Sequence, residues 1–234
     1  MPGVSRRPSP SPDALSWRFV ACTSVFVACL LTANIIAAKL VVMGGVVLPA
    51  GIIIFPVSYI VADVLTEVWG YGAARRVIWL AFGCNVLMVA AIWAGGALRP
   101  APFWKGQAAY EEILGQAPRI LIASLTAYLL GEFANAYVLA RLKIATAGRW
   151  LWVRTIGSTV VGEGLDSLVF VALAFAGTVS AGALVQIVVN QWLVKVAYEA
   201  VATPLTYAAV GWLKARERLD TFDLHTDFNP LKLS

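Results

Sequence analysis

Long apolar runs separated by short polar stretches set the pattern of this chain. A helix needs about 20 apolar residues to cross the hydrocarbon core of a bilayer. The runs that meet this need are Trp17–Leu40, Leu48–Thr66 (opening on Pro49 and broken by Pro56), Val77–Ala97, Arg119–Leu142, Thr155–Phe175 and Ala183–Leu213. The pattern predicts an all-α integral membrane protein with six transmembrane helices. Residues 1–16, rich in Pro and Ser, read as a disordered cytoplasmic arm, 17–213 as the transmembrane domain and 214–234 as a polar cytoplasmic tail. Arg6 and Arg7 ahead of the apolar run Phe19–Ala38 look like a signal peptide, but the run is long enough to span and further spans follow, so it reads as retained.

Composition supports this reading. Hydrophobic residues make up 60% of the chain and charged residues 13%, against about 45–50% and about 25% in soluble domains. The excess apolar surface must face lipid. The net charge of +5 matters for where it lies. With the N-terminus in the cytoplasm, the cytoplasmic segments hold Arg6, Arg7, Arg18, Arg75, Arg76, Arg141, Lys143, Arg149, Arg154, Lys214, Arg216 and Arg218. The outer segments hold Lys39, Arg99, Lys105 and Arg119, diluted by Glu111 and Glu112. This asymmetry places both termini in the cytoplasm and gives no reason to expect a nucleic-acid partner.

Enzyme chemistry finds little support. Cys22, Cys29 and Cys84 are odd in number and lie inside apolar runs, without metal or disulfide spacing. His225 is the single histidine. No phosphate-binding loop, H-E-x-x-H or G-x-S-x-G motif occurs. The expectation is a protein that is not an enzyme, with no catalytic residue, metal or cofactor.

Ionisable groups inside spans are costly, and usually face a cavity or a partner. Asp63 and Glu67 lie four apart on the second run, and Arg75 and Arg76 could satisfy them. Glu132 lies within the fourth run with Asn135 one turn on. Glu163 and Asp166 share a face of the fifth. Lys195 and Glu199, preceded by Asn190 and Gln191, share a face of the sixth and could neutralise each other. Asn34 and Asn85 add amides that could join helices. Glu132, Glu163 and Asp166 have no basic neighbour on their own helices and are the first candidates for a polar cavity. Asn135, Asn190, Gln191 and Asn34 come second. Asp63, Glu67, Lys195 and Glu199 read as gating or structural. Carboxylates and amides suit a ligand rich in N–H donors, such as a guanine edge, and Phe133, Tyr137, Trp192 and Tyr198 could stack on a flat heterocycle or face lipid. A faint internal repeat (Ser58, Val61, Asp63 against Ser158, Val161, Glu163) raises two inverted three-helix halves.

The runs NIIAAKLV at 34–41 and LPAGIIIFPVSYIVADVLTEVWGYGAARRVIW at 48–79, with TFDLHTDFNP at 221–230, resemble the queuosine precursor transporter family, which is grouped with vitamin uptake transporters. The segment ADVLTEVWGYGAAR is the most specific part of the match. The resemblance implies import of 7-cyano- or 7-aminomethyl-7-deazaguanine across the bacterial inner membrane, as a secondary transporter or facilitator. Two rival readings remain at this stage. One is the substrate-binding membrane subunit of an energy-coupling factor importer, which needs an ATPase partner. The other is a scaffold without a ligand. A homodimer is compatible with so small a carrier.

Overall fold

The structure, a computed structural model, describes residues 16–43, 46–115, 118–178 and 180–232. The expected arm at 1–16, with Arg6 and Arg7, lies outside the described residues apart from Ser16. Helix α1 is Trp17–Ile36, and the Ser16 hydroxyl accepts a hydrogen bond from the Phe19 N–H at 3.0 Å, satisfying a backbone donor that the helix start leaves open. A two-stranded antiparallel hairpin follows, β1 (Leu40–Met43) against β2 (Val46–Pro49), and then a single 3₁₀ turn at Ala50–Ile53. The remaining helices are α2 (Phe55–Trp69), α3 (Tyr71–Ala97), α4 (Gln107–Leu114), α5 (Pro118–Ala145), α6 (Leu151–Phe175) and α7 (Ala181–Glu217).

Two expected boundaries are corrected. The first run stops being helical at Ile36 rather than Leu40, and the second becomes helical only at Phe55. Val41, Val42, Val46 and Val47 are β-branched and favour extended backbone, so this apolar stretch forms the hairpin. Pro56 does not break α2. It sits in the first helical turn, where its missing N–H has no helical partner to lose. The loop expected at 98–118 contains α4.

Helices α1, α3, α6 and the stretch containing α5 are long and apolar enough to cross a membrane. Side chains such as Leu87, Trp93 and Val185 face outward, as lipid contact requires. Helix α2 has 15 residues, about 22 Å of rise, short of the hydrocarbon thickness. Helix α7 has 37 residues, but Asn190, Gln191, Lys195 and Glu199 dilute its apolar character.

The closest helix pairing is α5 on α6. A Cβ at Gly162 would meet the Asn135 Cβ at 2.7 Å and the Gly131 carbonyl oxygen at 2.9 Å. A Cβ at Gly131 would meet the Asp166 Cβ at 2.8 Å. Small residues let two membrane helices approach this closely, and this contact sets Glu132 beside Glu163 and Asp166. On the other side of α5, Phe26, Leu65, Tyr71, Ile78 and Tyr128 form a shared apolar core with α1, α2 and α3. Replacing Gly162 by Leu should cost about 1–3 kcal/mol through overpacking and lower the thermal midpoint in detergent. Gly182→Leu, where an added Cβ meets nothing within 4 Å, should leave it unchanged.

Candidate functional site

The polar residues inside the bundle sort into two groups at different depths. At one end, Glu67 of α2 is fully buried and meets three cations. The Arg154 guanidinium of α6 donates to both of its oxygens at 2.8 Å. Lys214 of α7 donates at 2.6 Å, and the Lys143 Nζ of α5 stands 3.4 Å away. Lys143 spends its three protons on the Glu67 carbonyl (2.6 Å), Asp220 Oδ1 (2.6 Å) and the Thr221 carbonyl (2.8 Å). Such an ion cluster survives in a low-dielectric interior because every charge has a partner. Partial burial pushes the Asp220 carboxyl up, but hydrogen bonds from Lys143 and Lys214 outweigh this and hold it below the usual aspartate range.

The tail continues the same closure. Both Asp223 oxygens accept from the Tyr71 N–H, at 3.1 and 3.0 Å, capping the start of α3. Arg75 donates to the carbonyls of Asp227 (2.9 Å) and Asn229 (2.6 Å), and Trp79 to that of Pro230 (2.8 Å). Gly70, at φ +84°, is required here, since a Cβ would sit 2.7 Å from Thr221. Arg75 therefore serves the tail, while Arg154, Lys143 and Lys214, which the sequence showed only as basic charges near helix ends, neutralise Glu67.

At the other depth lies a cavity of about 570 Å³. Glu132, Glu163, Asp166, Gln191, Lys195, Asn34 and Asn85 line it, with Phe55, Tyr59, Tyr128 and Phe170 as aromatic walls. It extends toward Ala37, Pro49 and Glu112, away from the Glu67 cluster. Lys195 bridges the two α6 carboxylates, 2.7 Å from Glu163 Oε2 and hydrogen-bonded to Asp166. It does not pair with Glu199. The Tyr59 hydroxyl donates to Glu163 at 3.3 Å. Asn34 donates to Asn85 at 3.0 Å. The Glu132 carboxylate has no ion-pair partner among the described residues.

Other candidates lie elsewhere. Asn135 donates to Asp63 Oδ1 at 2.9 Å, and neither residue lines the cavity. Glu199 is also buried away from it, and Asn190 is exposed on the outer face of α7. Of the aromatics proposed for stacking, Phe133 packs against Trp79 and Tyr137 against Phe228. Trp192 donates to the Val160 carbonyl at 2.9 Å. Phe55 and Tyr59, which the sequence did not single out, line the cavity instead, their rings stacked with centroids 5.9 Å apart. Among the described residues there is no group of three or more acidic, His or Cys side chains able to hold a metal.

A family model described as "Putative vitamin uptake transporter" matches residues 49–209, which include α2, α3, α5, α6 and most of α7. The chain belongs to the vitamin uptake transporter family. Among curated relatives, the "Probable queuosine precursor transporter" of Bacillus subtilis (strain 168) is 30% identical over 187 residues, 80% of this chain and 82% of the relative. The "Queuosine precursor transporter" of Escherichia coli (strain K12) is 30% identical over 121 residues, 52% of each chain. No solved structure matches. This transporter is a multi-pass bacterial membrane protein.

The buried ion cluster makes a direct prediction. Glu67→Gln leaves Arg154, Lys143 and Lys214 facing a neutral amide, and breaking buried pairs costs about 3–5 kcal/mol. The variant should lose most of its monodisperse yield or show a markedly lower thermal midpoint. An unchanged midpoint would remove Glu67 as the anchor of this end.

Proposed function

We propose that this chain imports 7-deazaguanine precursors of queuosine, 7-cyano-7-deazaguanine or 7-aminomethyl-7-deazaguanine, across the inner membrane as a secondary transporter or facilitator. The observation that carries the reading is Glu132, a carboxylate free of ion pairs among the described residues, on the wall of an aromatic-lined cavity. A guanine edge presents a ring N–H and an amino group side by side, and one carboxylate accepts both. Phe55, Tyr59 and Phe170 offer faces for a flat bicycle, and the cavity volume falls within the roughly 300–1,000 Å³ of small-molecule sites. The printed names of the curated relatives favour the same substrate class.

Lys195 already neutralises Glu163 and Asp166. An aminomethyl cation would compete with its ammonium for those carboxylates, whereas a cyano group would leave the triad in place. Gln191 and Asn34 then supply amide contacts at the rim. In this reading α2 and α7 complete six crossings with α1, α3, α5 and α6, as two three-helix halves. Both termini are cytoplasmic, so the Glu67 cluster and the tail close the inner side while the cavity opens outward. Alternating access requires that cluster to loosen as one half moves against the other.

Precursor rescue tests the proposal. A bacterium that can neither make deazaguanines nor import them receives this gene and a low concentration of 7-cyano-7-deazaguanine, and queuosine in its tRNA is measured by mass spectrometry. Wild type should restore queuosine, and Glu132→Gln at equal membrane expression should reduce it at least tenfold, about the loss of one charge-assisted hydrogen bond. No queuosine with well-folded wild type would reject the substrate class.

A further inference from the structure

Two buried carboxyl groups lie behind the cavity and belong to neither of the sites described above. Asp63 of α2 and Glu199 of α7 are each 1% exposed. Asp63 Oδ1 accepts from Asn135, but Asp63 Oδ2, Asn135 Oδ1 and both Glu199 oxygens are buried without a hydrogen-bond partner among the described residues. Asp63 and Glu199 lie on α2 and α7, two helices that pack against each other. All of these unpaired atoms are acceptors when the acids are ionised, and a carboxylate gains a donor only by binding a proton. What the pair lacks is therefore positive charge and an O–H.

We infer that Asp63 and Glu199 form a proton-binding site that couples substrate movement to proton movement, an inference resting on the transport reading above.

The described surroundings supply no other neutralisation. On α2, Glu67 lies one turn from Asp63, but its charge is met by Arg154, Lys143 and Lys214. From α5 come Asn135 and the acidic Glu132. From α6 comes Glu163, which repels a charge on Glu199 and is itself held by Lys195. Helices α1 and α3 also pack on α2, but Arg18 is paired with Glu217 and Arg75 holds the tail carbonyls. Two buried carboxylates on packed helices, with no cation among the described residues, are too costly at this depth, so the pair holds a proton in this conformation.

The coupling route runs through Lys195. It sits four residues before Glu199 on the same helix, a spacing that lets the two side chains meet. While Lys195 holds Glu163 and Asp166, Glu199 has no cation and keeps its proton. A substrate that displaces the Lys195 ammonium frees it to turn toward Glu199. The ammonium then takes the place of the proton, which leaves toward the inner side, and the net charge of the group is unchanged.

The test has two arms. Infrared spectroscopy of purified protein in lipid nanodiscs at neutral pH needs no substrate. Wild type should show a protonated-carboxyl C=O band that falls in Glu199→Gln or Asp63→Asn, and a wild type without that band overturns the inference. In proteoliposomes, an inward acid gradient should drive wild-type accumulation of labelled 7-aminomethyl-7-deazaguanine, whose cation competes with Lys195. Glu199→Gln and Asp63→Asn should still exchange the label yet lose gradient-driven accumulation. Wild-type accumulation that ignores the acid gradient, or follows a sodium gradient, overturns proton coupling, and this needs no variant to fold. Wild type that exchanges no label at all rejects the transport substrate instead, while the infrared band still decides the proton site.

Discussion

Glu67 is a fully buried carboxylate that draws on side chains from three other helices. Removing two or three charges from water is costly, and the cost is recovered only when every partner is in place. The arrangement is therefore close to all-or-none. Arg154 fixes α6 against α2, Lys143 fixes α5, and Lys214 fixes the end of α7. Through Asp220 and Thr221 the same ions pull the tail across the elbow between α2 and α3. The bundle is knitted together at this end and hollow at the other.

The contrast between the two ends gives the cavity its chemistry. Near the tail, the ionisable groups inside the bundle are consumed by others. In the cavity Lys195 satisfies Glu163 and Asp166, while Glu132 has no ion-pair partner among the described residues. The Gly131–Gly162 contact sets Glu132 of α5 beside the two α6 acids that the α7 lysine bridges. Packing and electrostatics depend on each other here, since a wider α5–α6 spacing would carry Glu132 away from the α6 acids.

The long apolar runs made α1, α3, α5 and α6 legible, because each has an uninterrupted hydrophobic length that only a membrane or a very large core can accept. The hairpin at Leu40–Pro49 was not legible, since valine-rich sequence counts as apolar whether it forms helix or strand. The acidic candidates Glu132, Glu163 and Asp166 stood out because each lacked a basic neighbour on its own helix. Their partner, Lys195, came from a different helix, which spacing along one helix cannot reveal. For the same reason Arg154, Lys143 and Lys214 read as topological charges, and Arg75 looked available to Glu67. Asn190 and Gln191 are adjacent in sequence, yet a helix sends neighbours about 100° apart, so Gln191 lines the cavity and Asn190 points away from it.

The most direct measurement is equilibrium binding of labelled 7-cyano-7-deazaguanine to the purified protein in nanodiscs, with competition by unlabelled bases. Recognition of the guanine edge by Glu132 predicts saturable binding that is displaced by guanine-edged 7-deazapurines, is not displaced by 7-deazaadenine, and is lost in Glu132→Gln. Binding that survives Glu132→Gln, or that 7-deazaadenine displaces equally well, would contradict the account.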